Sequence, residues 1–248
     1  MHGGVDMLTK NDEKQMKALM NEREDFRYII EKLKEDQQFT VSQISHEIRN
    51  PVTLINSSLQ LIEKQHPEVR SFAFWNQTME DMMFLRKLLD ELSSFNNGER
   101  LALQEMNVKS WIEALAGSIA THLRDTDIDF SCDFQKVLPH ITADDTKLHQ
   151  AVYNLLRNAV EAIDDCGHII FRALTKDKKL IIQVIDDGCG IQEEDLDTLF
   201  APFVTHKKCG SGLGLAITKR IVEAHDGSLT VKSTPGTGTC FTILLPYC

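Results

Sequence analysis

Apolar residues recur every three or four positions from Leu8 to about residue 95, and beyond residue 100 that period breaks into short alternating runs. In the first half, Met16, Ile30 and Ile44 fall on one heptad seam and Leu19, Phe26 and Leu33 on the other, with Arg23, Gln37 and Thr40 as polar interruptions. Such seams bordered by Glu and Lys predict a coiled coil and a parallel dimer, weakened at the polar positions so that its register can shift. A single solvated helix is the alternative. The same helix is expected to run to about Lys64, with Ile44, Ile48, Ile55, Leu59 and Ile62 on one apolar face. A turn at His66-Pro67 leads to a second helix, from about Pro67 to Phe95, with Phe72, Trp75, Met79, Met82, Leu85, Leu89 and Leu92 on its inner face. Two long helices joined this way form a hairpin, and two hairpins from a dimer form a four-helix bundle.

After Asn96-Asn97-Gly98 the pattern predicts a strand near 101–106, a helix over 108–123, a strand over 128–134, and a helix over 144–163 capped by Asp144 or Asp145. Strands at 168–175 and 180–186 pair through a turn at Asp177-Lys178. Helices at 193–200 and 213–225 precede strands at 228–233 and 239–246. The fold class is therefore α followed by α/β: a dimeric helical-hairpin bundle with an N-terminal coiled-coil helix, then an α/β sandwich covered on one face. The expected domains are 1–40, 41–98 and 99–248.

A composition of 42% hydrophobic and 26% charged residues is that of a globular protein. The net charge of −10 argues against nucleic acid as a partner. No apolar run approaches the length of a membrane span, and the polar N-terminus is no signal peptide. The six scattered cysteines contain no Cys-x-x-Cys pair and fit reduced thiols in a cytoplasm. The chain is thus expected to be cytoplasmic, as a whole protein or as the cytoplasmic part of a larger sensor.

Five stretches carry residues that folding alone does not require. In Ser45-His46-Glu47-Ile48-Arg49-Asn50-Pro51, an imidazole has a carboxylate neighbour that could orient it or take its proton. Pro51 should bend or loosen the helix just past it. A plain surface histidine before a kink would look the same. Asn154 and Asn158 stand one helical turn apart, where two amide oxygens can complete the shell of a Mg²⁺ bound to phosphates; a polar outer face is the alternative. Asp186-Asp187-Gly188-Cys189-Gly190 follows an apolar strand, and its glycines allow a ligand to approach the backbone. Gly210-Ser211-Gly212-Leu213-Gly214-Leu215 opens a helix whose N–H groups can face phosphate, behind a polar, lid-like segment, Thr205–Cys209. Pro235-Gly236-Thr237-Gly238-Thr239 alone is a hairpin turn.

In this order and spacing, with Leu199-Phe200-Ala201-Pro202-Phe203, these stretches resemble the H, N, G1, F, G2 and G3 boxes of bacterial two-component sensor histidine kinases, from about Gln43 to the C-terminus. The wording Asn-Ala-Val-Glu-Ala is most similar to the nitrogen-regulatory and sporulation branch. The resemblance implies a dimerisation and phosphoacceptor bundle followed by a GHKL-type ATPase sandwich. His46 would take the γ-phosphoryl group of ATP, with Glu47 as base or orienting group. The nucleotide would be held by Asn154, Arg157, Asn158, Asp186, Gly188, Gly190, Phe203, Lys207, Gly210, Gly212, Leu213, Gly214 and Thr239, with Mg²⁺ on Asn158 and Asn154. The phosphoryl group would pass to an aspartate in the receiver domain of a response regulator. Glu47-x-x-Asn50 resembles a phosphatase motif in which Asn50 orients water. Glu161 stands where many members carry lysine, and Arg157 is the candidate substitute; Val52, His206 and Ser211 also depart from the commonest wording. Gyrase, Hsp90 and MutL share the ATP fold but need a glutamate where Asn154 stands and lack the H box. A regulator-binding scaffold would be favoured by loss of the G1 aspartate or the G2 glycines, and neither is lost.

Overall fold

A computed structural model describes Gln15 and residues 24–97, 100–205, 207 and 210–247. The expected seam positions Met16, Leu19 and Arg23, the His206 substitution and Gly98 lie outside the described residues. The chain divides into two compact units, Met1–Met79 and Glu80–Cys248.

In the first unit, α1 spans Glu24–Gln65 as one continuous helix with Pro51 inside it. Pro51 removes the N–H that would bond the carbonyl of Glu47 and restrains the turn behind it, yet the helix does not end there. A tight 3₁₀ turn, Pro67–Ser71, follows, with Val69 buried and Arg70 Nε bonded back to Glu63 at 2.6 Å. The expected single helix from Pro67 is interrupted: Phe72 is extended and Phe74 sits at φ 68°, in the left-handed region where a helix cannot propagate. Helix α2 begins only at Trp75 and ends at Asn97. Phe72 is consequently 58% exposed rather than on an inner face.

The second unit takes most of α2 and the sandwich. A two-stranded antiparallel ribbon pairs β1 (Gln104–Asn107) with β3 (His140–Ala143). The pattern did not indicate β3, which follows Pro139 directly and forms by pairing with β1. The main sheet has the order β2-β4-β5-β7-β6, built from Asp127–Phe134, Cys166–Lys176, Lys179–Asp186, Gly238–Pro246 and Ser228–Thr234. Only β2 and β4 run parallel. Asp177 and Lys178, at φ 51° and 56°, give the β4–β5 hairpin the twist that right-handed strands require.

One face of this sheet is apolar. Ile169, Phe171 and Ala173 of β4, Leu180, Ile182 and Val184 of β5, and Phe241, Ile243 and Leu245 of β7 alternate inward and are buried. Three helices cover them: α3 (Val108–His122), α4 (Asp145–Glu161) and α6 (Gly214–Ala224), through residues such as Ile112, Leu155 and Ile221. Each such side chain contributes about 1.5–3 kcal/mol on burial. Asn107 caps α3 through Ser110 N at 3.0 Å, and Asp144 caps α4 through Lys147 N at 3.0 Å. Helix α5 is a single turn, Glu193–Leu196. The expected helix to Phe200 stops there, and turns carry the chain to Phe203. The opposite sheet face is mixed, carrying Ile170, Ile181 and Leu244 beside polar residues, with cross-strand ties from His168 to Asp129 at 2.9 Å and Arg172 to Asp133 at 2.7 Å. Leu92 and Phe95 of α2 pack on the sandwich core. Arg220 of α6 stacks 4.3 Å over the Phe95 ring and donates to its carbonyl at 2.9 Å.

Candidate nucleotide site

The residues that the sequence singled out in the second unit converge where β5 ends, β7 begins and α4 and α6 meet. Asp186 is the last residue of β5 and is paired across the ladder with Thr239 of β7. Both are nearly buried, at 6% and 5% exposure. Burial pushes the Asp186 carboxyl above the usual carboxylate range, against the opposing pull of hydrogen bonds from the backbone of Gly188 and Thr239. Asp187 turns away and accepts from His168 N at 2.7 Å.

Gly188 packs so closely on the end of α4 that a Cβ there would lie 2.4 Å from the Ala162 carbonyl oxygen. Gly190, at φ +70°, faces the Thr234 carbonyl in the same way, with a Cβ distance of 2.2 Å. Ser233 completes this corner: its hydroxyl accepts from Ile191 N at 2.9 Å and lies 2.9 Å from Thr239 Oγ1. Nothing in the alternating pattern of β6 distinguished Ser233 beforehand.

On α4, Asn154, Arg157, Asn158 and Glu161 lie on one helical face. Asn154 Nδ2 donates to Thr218 Oγ1 at 3.0 Å, and its Oδ1 accepts from Arg157 at 3.4 Å. It also abuts the start of α6, where a Cβ on Gly214 would come within 2.6 Å of Asn154 Oδ1. Thr218, wholly buried, closes this junction by donating to the Gly214 carbonyl at 2.9 Å. It was missed because a threonine within an apolar helix reads as filler.

Helix α6 starts without a side-chain cap, so the N–H groups of its first turn keep capacity for an anion. Leu213 is buried, its N–H donating to Ser211 Oγ at 3.1 Å and its carbonyl accepting from Ile217 N at 2.8 Å. Gly212, at φ +69°, backs onto Phe203, whose N–H donates to the Gly212 carbonyl at 3.0 Å. Phe203 is itself at φ 65° and 61% exposed. Gly210 N donates to the Lys207 carbonyl at 3.2 Å. Lys207 Nζ reaches Asn158 Oδ1 at 3.3 Å and forms a close ion pair with Glu161. All the predicted nucleotide residues are thus in one neighbourhood.

The predicted phosphoacceptor residues belong to the first unit. His46, Glu47 and Asn50 are all exposed on α1. Ser45, on the opposite side of the helix, is buried and donates to the Val41 carbonyl at 2.7 Å. A cavity of about 350 Å³ in the second unit, lined by Met83, Arg86, Lys87, Asp90, Glu91, Ser94 and Gln150, contains none of the predicted site residues.

A layered sheet with a strand-end aspartate, glycine turns and an uncapped helix gathered at one edge is the arrangement of a nucleotide-binding domain. Residues 143–248 match the family of histidine kinase-, DNA gyrase B-, and HSP90-like ATPases, and over four fifths of its length the chain is a homologue of bacterial two-component sensor histidine kinases. It is 31% identical over 204 residues to the signal transduction histidine-protein kinase AtoS of Escherichia coli K12, which covers 82% of this chain and 34% of AtoS. It is 32% identical over 205 residues to sporulation kinase A of Bacillus subtilis, covering 82% and 33% respectively. The crystal structure of full-length ShkA in complex with AMPPNP aligns with a TM-score of 0.74 at 25% identity, over 84% of this chain and 46% of that one. The chain therefore spans about a third of the curated relatives named here. No described helix is long and apolar enough to cross a membrane.

Proposed function

We propose that the chain is the kinase core of a two-component system, transferring the γ-phosphoryl group of ATP to His46 and then to an aspartate of a response-regulator receiver domain. The observation that carries this reading is the pairing of a buried Asp186–Thr239 corner with an exposed His46-Glu47 pair on a long helix. Asp186 accepts from the adenine amino group, Thr239 supports it, and the glycine turns let the nucleotide lie against the backbone. The α6 N-terminus and Lys207 receive the phosphates.

The donor set fits Mg²⁺ on the phosphates. The amide oxygens of Asn158 and Asn154 would be the protein groups that hold such an ion. Each amide oxygen already accepts a weak bond from a cation, Asn158 from Lys207 at 3.3 Å and Asn154 from Arg157 at 3.4 Å, and would be released to the ion when that cation turns to the phosphates. The ion supplies charge neutralisation.

An imidazole nitrogen of His46 attacks phosphorus as the bond to the β-phosphate oxygen breaks. ADP leaves, a P–N bond forms, and Glu47 takes or orients the imidazole proton. In the second step the aspartate oxygen attacks and the P–N bond breaks. Positioning and charge supply most of the acceleration.

The reading includes a homodimer with domains at 1–40, 41–98 and 99–248, working in the cytoplasm. Ile44, Ile48, Ile55 and Ile62 remain 48%, 43%, 49% and 42% exposed along one stripe of α1. Covering the open half of each contributes about 1 kcal/mol, which a second copy with the same stripe supplies. The test is incubation of the full chain with Mg-ATP labelled in the γ-phosphate, beside a His46→Gln variant. Acid-labile label is expected on the first and none on the second; label that is absent from both, while ATP still binds, sinks the kinase reading.

A further inference from the structure

Glu161 ends α4 three residues past Asn158, where the resemblance puts a cation. It is 40% exposed, its Oε2 pairs with Lys207 Nζ, and its Oε1 lies 3.4 Å from Arg157 Nε. Lys207 also reaches Asn158 Oδ1 at 3.3 Å. One carboxylate thus engages two described cations beside Asn158, Arg157 and Lys207. Its contribution to folding is small, since ion pairs this exposed contribute little beyond the entropy of ordering them. A weak pair built from groups beside the site's amide and glycine residues is suited to competition with an anion rather than to stability.

We propose that Glu161 is a positioning residue acting through Lys207: it holds the loop lysine on α4 in the nucleotide-free protein, yields it to the polyphosphate, and so weakens the site's affinity for polyphosphate. The proposal rests on the nucleotide-site reading above. Two effects have the same sign. Lys207 must leave Glu161 before it can serve the phosphates, and the carboxylate repels their negative charge. Both are absent for a ligand without phosphates, and both are screened by salt.

The experiment is titration of the full chain with ATP and with adenosine, at low and high salt, using wild type, Glu161→Gln, Lys207→Ala and the double variant. Glu161→Gln is expected to tighten ATP binding about three- to tenfold at low salt and less at high salt, leaving adenosine unchanged. Lys207→Ala is expected to weaken ATP binding. Adding Glu161→Gln to Lys207→Ala should then recover less than about twofold. The proposal is overturned if Glu161→Gln weakens ATP binding, which would make Glu161 a ligand of the metal. It is equally overturned if adenosine affinity moves in step with ATP, or if the gain persists undiminished without Lys207. Wild-type protein that binds no ATP at all would instead remove the nucleotide site itself.

Discussion

Replacing Asp186 with asparagine separates what that carboxylate does for the ligand from what it does for the fold. At 6% exposure the charge is held in a largely dry corner, and its oxygens already accept from the backbone of Gly188, at 3.1 Å, and Thr239. In the asparagine variant those two N–H donors select the amide oxygen, leaving the NH₂ group to face the adenine amino group, donor against donor. The lost interaction is a hydrogen bond to a charged acceptor, about 1.5–3 kcal/mol, so ATP affinity should fall about 10- to 150-fold. Stability should move the other way. The folded-state pKa of Asp186 is raised above the ordinary 3.8, with burial as the chief cause. The folded protein therefore binds the proton more tightly than the unfolded chain, and this residue's contribution falls as pH rises through that interval. At neutral pH the variant, with no charge to bury, should melt at an equal or higher temperature than wild type. That advantage should shrink as the pH drops and the wild-type carboxyl protonates. Calorimetric titration and thermal melts at several pH values on the full chain make the comparison. A variant that keeps wild-type ATP affinity, or one that loses affinity only because it melts lower at neutral pH, would refute the assignment.

Gly238→Ala should disrupt the same corner, because its φ of +125° is strained for any side chain and its Cβ would meet the Asp186 carbonyl oxygen at 2.0 Å; a melting point lower by about 5 °C or more is expected. Gly236→Ala, also at positive φ but with nothing within 4 Å, should show a smaller drop, and equal drops would contradict the packing argument. Thr218→Val leaves the Asn154 N–H and the Gly214 carbonyl without this buried partner, and thermal melts should fall by about 3–10 °C, with Thr218→Ser restoring most of the loss. Asn50→Ala should keep autophosphorylation while abolishing dephosphorylation of the phosphorylated receiver domain; an unchanged dephosphorylation rate would remove Asn50 from that role.

The sandwich was legible because its strands alternate cleanly, as Leu180–Asp186 does, and because its glycine turns carry both fold and chemistry. Asp186 could be named in advance because Asp186-x-Gly188-x-Gly190 after an apolar strand resembles the family's G1 wording; a plain strand-end turn alone would look similar. What escaped notice was mostly non-local. The four-residue β3 exists only by pairing with β1. The break at Phe72–Phe74 is a backbone event inside a stretch of good helical spacing, and α5 stops at Leu196 although Leu199 and Phe200 continue the helical period. Thr218 and Ser233 support the site through partners 64 and 42 residues away along the chain, Asn154 and Ile191, and no local pattern reveals such a pairing. Glu161 stood out as a departure from the family wording, but its partner, Lys207, became visible only when the loop before α6 was placed against α4.

The central claim is that nucleotide captured at the Asp186 corner phosphorylates His46, so the most direct measurement is peptide mapping of the phosphoryl group after incubation with Mg-ATP, alongside ATP binding. Wild type should bind and carry phosphohistidine on the peptide containing His46. His46→Gln should bind ATP without being modified, and Asp186→Asn should bind ATP about 10- to 150-fold more weakly and, at ATP concentrations below its Kd, carry little phosphoryl group. A phosphoryl group found on any other residue of the His46→Gln variant, or on His46 in an Asp186→Asn protein that no longer binds ATP, would contradict the account.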